Sequence, residues 1–209
     1  HENTKKLDGR DGTVDERFFY NCDSIIMEAA RRIDEWAYIT ERIPSTAEIL
    51  VATADLVTAE EFGNDAPAIF ELLDGRRNVA RIVEITGLTT FLVCKTLSQL
   101  LDDQAIAPVA HEELIELGDE CMAEGRVPDA ISLYERAIDL GLGLPESHAL
   151  AAKAYQVAEE YELAIYHLES EAEYRIGEGD HVGAAACLHE AKGLVPTHLS
   201  ARERLVELT

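Results

Sequence analysis

The stretch Leu117-Gly-Asp-Glu-Cys-Met-Ala-Glu-Gly-Arg-Val-Pro-Asp-Ala-Ile-Ser-Leu-Tyr134 decides the fold, because it returns in altered form as Ala151 to Leu168. One offset relates the two: Ala130 falls on Ala164 and Tyr134 on Leu168. Leu117-Gly118-x-x-Cys121 falls on Ala151-Ala152-x-x-Tyr155. Small residues let two helices approach closely, and the large residue one turn on fills the space beside the next hairpin. A small-x-x-x-large step at this period is the pattern of helical hairpins that stack on copies of themselves.

Outward from that stretch, apolar spacing predicts helices near 112–124, 127–140, 146–158, 161–177, 180–193 and 197–208. The breaks are Gly125-Arg126, Gly141 to Pro145, Glu159-Glu160, Gly177 to Gly179 and Val195-Pro196. Ala184, Leu188, Ala191 and Pro196 repeat the second half of the motif. The step from Ala164 to Ala184 is much shorter than the step from Ala130 to Ala164, so the helix over 161–177 must serve two hairpins. Arg202, Arg204 and Glu207 give the last helix the polar face of a solubilising cap.

Toward the N-terminus the pattern changes. Residues 1–15 are polar and read as a linker or frayed end, and Arg17 to Tyr20 as an edge strand. Asp23 or Ser24 caps a helix carrying Ile26, Ala29, Ala30, Ile33, Trp36 and Ala37 on one face, closed before Pro44. On its polar side, the spacings Glu28–Arg32 and Arg31–Glu35 allow ion pairs. Ile49 to Val51 reads as a short strand, and Thr58-x-x-Glu61 as a capping box. Ala68, Ile69, Leu72 and Leu73 make a helix closed by Gly75. Asn78 caps a second that ends at Gly87, and Thr89 caps a third. A strand over 105–109 follows. Three helices and a strand over 66–109 read as a winged-helix core.

The hairpin motif resembles the tetratricopeptide (TPR) repeat. The earlier stretch Ser24-Ile-Ile-Met-Glu-Ala-Ala-Arg-Arg-Ile-Asp-Glu-Trp36, with Ile43-Pro-Ser45, Ile69-x-x-Leu72-Leu-Asp-Gly-Arg-Arg-Asn-Val79 and Leu88 through Ile106, is similar to the PATAN (PatA N-terminus) domain over 16–109. The glycine-rich, β-rich half of that family would precede residue 16 and is missing here, so the resemblance reads the chain as a fragment. It implies bacterial signalling tied to surface motility or cell patterning, acting through protein contacts. The TPR resemblance implies a concave groove lined by the first helix of each hairpin, here by Ile115, Asp119 and Met122, then Ala149, Lys153 and Gln156. A carboxylate clamp of several Lys, Arg and Asn is not expected, since Lys153 stands alone.

Composition narrows the function further. The formal charge of −23 over 209 residues, spread over both halves, repels phosphate backbones and anionic membranes. In a winged helix the third helix would offer DNA Thr90, Phe91, Cys94, Lys95 and Ser98, of which only Lys95 is a cation, and no wing follows. Arg76, Arg77 and Arg81 are the one basic cluster and a second candidate protein contact. Cys22, Cys94, Cys121 and Cys187 form no CxxC pair and read as buried thiols in a reducing compartment. Cys187 with His181 and His189 lacks the spacing of a structural zinc site. No nucleotide, hydrolase or metalloprotease motif occurs, and no apolar run is long enough to cross a membrane.

The expected fold is mainly α: a winged-helix-like three-helix unit with a few short strands, joined without a flexible linker at about residue 110 to a TPR-like stack of antiparallel helical hairpins over 111–209. The expected function is a non-enzymatic, cytoplasmic protein–protein adaptor, without cofactor or metal and able to form a homodimer. Its partner would be a protein or peptide segment rather than nucleic acid or membrane. A DNA-binding transcription regulator with the repeats as sensor is the alternative.

Overall fold

The computed structural model describes residues 22–55 and 62–195. The expected linker, the strand over 17–20, the capping box at Thr58 and the last helix with Arg202, Arg204 and Glu207 lie outside the described residues. The remainder is mainly helical with one small antiparallel sheet.

The long helix α1 spans Cys22–Arg42 and stops before Pro44, whose ring removes the next backbone donor. Its C-terminal end is anchored in the core through Ile39 and, just past the helix, Ile43. Strand β1 (Ile49–Ala52) follows, then the short helix α2 (Ala66–Phe70). The chain then departs from the expected helix closed by Gly75. After a turn it runs as strand β2, Asp74–Asn78, with Gly75 inside it at φ 75°. A Cβ at Gly75 would lie 3.3 Å from Val109 and 3.5 Å from Val51, so glycine serves both the backbone angle and the close packing.

Helix α3 (Val79–Thr86) starts where the Asn78 side chain accepts the Arg81 N–H at 2.8 Å, and ends at Gly87 in the left-handed region. Helix α4 (Thr90–Asp102) is capped by Thr89. Strand β3 (Ile106–Pro108) completes a sheet of order β2-β1-β3, both pairings antiparallel, with Ile49 opposite Asn78 and Val51 opposite Ala107.

Central strand β1 belongs to two cores. Leu50 packs with Ile69, Val79, Ile82, Val93, Leu97 and Leu100. Ile49, with Val51 behind it, packs on the other face against Val109, Leu114, Cys121, Ala130 and Leu133. This is strand alternation used twice: successive side chains point to opposite faces, and helices cover both.

A single 3-10 turn (His111–Glu113) leads into α5 (Leu114–Ala123), α6 (Val127–Asp139), α7 (Glu146–Val157), α8 (Tyr161–Gly177) and α9 (His181–Leu194). Each helix packs on the next, and α8 packs on both α7 and α9, as the shortened step requires. The small positions of the motif, Ala130, Ala151, Ala164 and Ala184, are fully buried. A Cβ at Gly118 would overlap the Tyr134 ring, so the pair Gly118–Tyr134 sets how closely α5 and α6 approach. The turns repeat as well. Gly125, Glu159 and Gly179 all have positive φ, and the next residue's N–H closes each turn on the Cys121, Tyr155 and Arg175 carbonyls at 2.8–2.9 Å.

Polar contacts tie the stack to the sheet. Arg76 on β2 reaches Glu120 (2.7 Å) and Glu124 (3.2 Å) on and just after α5; Arg126 reaches Asp74 (3.0 Å); and the Asn78 amide donates to Ser132 Oγ (3.1 Å).

Candidate functional site

Helix α7 presents Ala149, Lys153 and Gln156 at spacings of four and three, which places them on one side. Helix α9 faces them with Ala186, Cys187 and Glu190, and α8 supplies the floor with Leu168, Glu171 and Arg175. All of these but Gln156 line a groove of about 390 Å³. Gln156 donates to Glu190 across one end at 2.9 Å. Lys153 is exposed at the rim.

The floor is polar and fully engaged. Glu171 is 4% exposed and takes Arg175 at 2.7 Å, while Arg175 also holds Asp180 at 3.1 Å. A buried carboxylate needs such a partner, because an uncompensated charge there costs several kcal/mol, on the order of 3–5. The Asp180 carboxyl lies below the usual range because the Gly183 N–H and Arg175 both donate to it. Burial, then the Glu171 charge, pushes the Cys187 thiol up to about 11, so it is un-ionised at neutral pH and a poor nucleophile. His181 and His189 are exposed while Cys187 is buried, so the three do not converge.

A second opening, of about 620 Å³, lies at the other side of α8. His148, Tyr166, Tyr174, Ser170 and Glu173 line it. Behind it runs a polar chain that starts from two buried histidines: His148 Nδ1 lies 3.0 Å from His167 Nδ1, His167 Nε2 lies 2.9 Å from Glu135, and the Tyr155 hydroxyl donates to the same carboxylate oxygen at 2.9 Å. Burial, then the His167 charge, holds His148 below its ordinary value. Burial pushes Glu135 up, but the bonds from His167 and Tyr155 and the imidazole charges outweigh it, leaving the carboxyl low. The two histidines sit on different helices, at a spacing that carries no sequence signal.

The other expected contact residues are distributed differently. Ile115 lies against the α6–α7 turn, where a Cβ at Gly143 would meet it at 2.8 Å. Asp119 accepts the Tyr134 hydroxyl at 2.7 Å, and Met122 packs partly buried on the core that includes Val51. None of the three lines the α7–α9 groove. The basic cluster is engaged by carboxylates: Arg76 by Glu120 and Glu124, Arg77 by Asp74 at 2.9 Å, and Arg81 by Glu84 at 2.5 Å.

Helix α1 covers part of α4. Phe91 stacks on Trp36 with centroids 6.1 Å apart, Lys95 is paired with Glu35 at 2.9 Å, and Cys94 and Ser98 are buried. Tyr38 and Arg42 both hold Asp102 at the end of α4. On α1 itself the expected pairs form: Arg32 with Glu28, and Arg31 with Glu28 and Glu35. Those bonds hold the Glu28 carboxyl down to about 2.

The chain matches no family model, no curated protein and no solved structure.

Proposed function

We propose that the chain is a non-enzymatic adaptor that holds a partner protein in the α7–α9 groove. The carrying observation is that Ala149 and Lys153 line a groove with small residues on its walls, the paired Glu171 and Arg175 on its floor, and Lys153 and Glu190 at its edges. Such a surface suits an extended or helical segment whose apolar side chains seat beside Ala149 and Ala186 while its acidic groups meet Lys153. The PATAN-like and TPR-like features point to a partner in bacterial signalling in the cytoplasm. The DNA-binding reading is weaker, since Lys95 is neutralised by Glu35 and Arg76, Arg77 and Arg81 are each paired with carboxylates. Phosphate anchoring needs several free cations.

The test uses the whole chain in three forms: wild type, Lys153→Glu, and Ala149→Trp, which fills the groove. A protein retained by the wild type and released by both variants supports the reading. Retention of the same proteins by all three overturns it. Salt-sensitive, micromolar binding of duplex DNA would establish the alternative.

A further inference from the structure

The apolar stripe of α1, which its periodicity marks as a core face, is turned away from the core. Ile26 is 63% exposed, Ile33 70% and Met27 71%, with Ile25 at 51% beside them. Ala29 and Ala30 between them are exposed too. The anchoring residues Ile39 and Ile43, with Glu35 and Arg42, lie around the opposite side of the helix. An exposed apolar patch of this kind on an otherwise acidic surface marks an interaction site.

We propose that this stripe is the interface of a homodimer in which α1 packs antiparallel on α1 of a second copy. Three observations select a second copy. First, the stripe reads the same in both directions: Ile26-x-x-Ala29-Ala30-x-x-Ile33 is a palindrome. A two-fold axis between Ala29 and Ala30 sets Ile26 of each copy against Ile33 of the other. A closed two-fold interface requires this self-complementarity, in which residue i meets j and j meets i. The alanines sit at the crossing, where small side chains allow axes to approach to about 8 Å.

Second, the charge pattern permits it. Two chains of −23 repel one another, so they can meet only where charge is absent or balanced. The stripe itself is uncharged; Glu28, Arg31, Arg32 and Glu35, toward the far side of the helix, are paired among themselves, and Asp34 stands at the edge of the stripe. Third, the area suffices. Covering Ile25, Ile26, Met27 and Ile33 on both copies removes on the order of 1,000 Å², at the small end of specific interfaces. The dimer is therefore concentration-dependent rather than obligate.

Sedimentation velocity of the full chain over a wide concentration range tests this. The expected result is a reversible monomer–dimer equilibrium. Ile26→Glu and Ile33→Glu should each weaken it about tenfold or more, since each places two carboxylates in the interface. Thermal stability of the monomer should be unchanged, as both side chains already face water. In a Cys22→Ser background, Ala30→Cys should form a disulfide-linked dimer on oxidation, because Ala30 lies beside the axis. Ala37→Cys should not, because the two copies of residue 37 are about 22 Å apart in an antiparallel pair. A monomer at all concentrations overturns the proposal, as does a dimer indifferent to Ile26→Glu. Equal crosslinking at residue 37 also overturns it, since that means a parallel pair. Loss of monomer stability in Ile26→Glu means that the chain covers this face in cis, and overturns it as well.

Discussion

Arg136, in the second helix of the stack, holds both carboxylate oxygens of Glu48 at 2.7 Å, across 88 residues of sequence. Both side chains are largely shielded from water, at 18% and 16% exposure. Glu48 directly precedes β1, so this pair fastens the stack to the sheet. Arg136→Ala leaves Glu48 without its cation in a half-dry site and should cost about 1–3 kcal/mol in chemical denaturation. Replacing both residues with apolar side chains of similar size should recover most of that loss. A loss of a few tenths of a kcal/mol or less would show the pair to be solvent-screened.

Gly118 supports the ring of Tyr134. Gly118→Ala forces overlap with that ring and should destabilise by about 1–3 kcal/mol, although alanine is the better helix former. Gly193→Ala in α9 meets nothing within 4 Å and should be neutral or slightly stabilising. Opposite signs for the two, measured by urea midpoints, are the diagnostic outcome.

Glu159 occupies at φ 62° the turn position that Gly125 holds one repeat earlier at φ 76°. A side chain there carries left-handed strain that glycine lacks. Glu159→Gly should therefore raise stability by about 0.5–1 kcal/mol, against the usual sign for glycine substitutions. A decrease on thermal denaturation would mean that the side chain contributes more than the strain costs.

His148 sets an acid limit on stability. Burial keeps His148 below its ordinary 6.5, so the unfolded chain binds the proton more readily. Stability is fully present above about 6.5 and is lost as pH falls through that value toward the folded one. Glu135, held low, adds a second loss in the same direction as pH falls below its ordinary 4.5. His148→Gln should flatten the stability curve between about pH 7 and pH 5.5. An unchanged slope would assign the acid loss to other groups.

The sequence makes some of this legible and hides the rest for identifiable reasons. The helices from Leu114 to Leu194 are readable because apolar positions recur every three or four residues and the breaks carry glycine or an αL residue. Strand β2 is not, since Asp74-Gly-Arg-Arg-Asn78 has no alternating apolar side chains; backbone pairing with β1 and a glycine against Val109 make it a strand. In α1, periodicity reveals an amphipathic helix but cannot say what covers it, so Ile26 and Ile33 look like core and are exposed. Of the expected contact residues, Ala149 and Lys153 share the α7–α9 groove because α9 leaves room beside them. Ile115, Asp119 and Met122 on α5 lie apart from it, beside the α6–α7 turn, Tyr134 and the core that Val51 packs on. The His148–Glu135 chain depends on three helices meeting, which no local pattern encodes.

The two-faced use of β1 has a mechanical corollary. Leu50 points into one core and Ile49 and Val51 into the other, so sliding this strand by one residue would exchange the contents of both. Neither half can loosen its hold on the strand alone. The molecule should melt as a single cooperative unit, and a partner that pries at the helical stack pulls on the same lever that α3 and α4 rest upon.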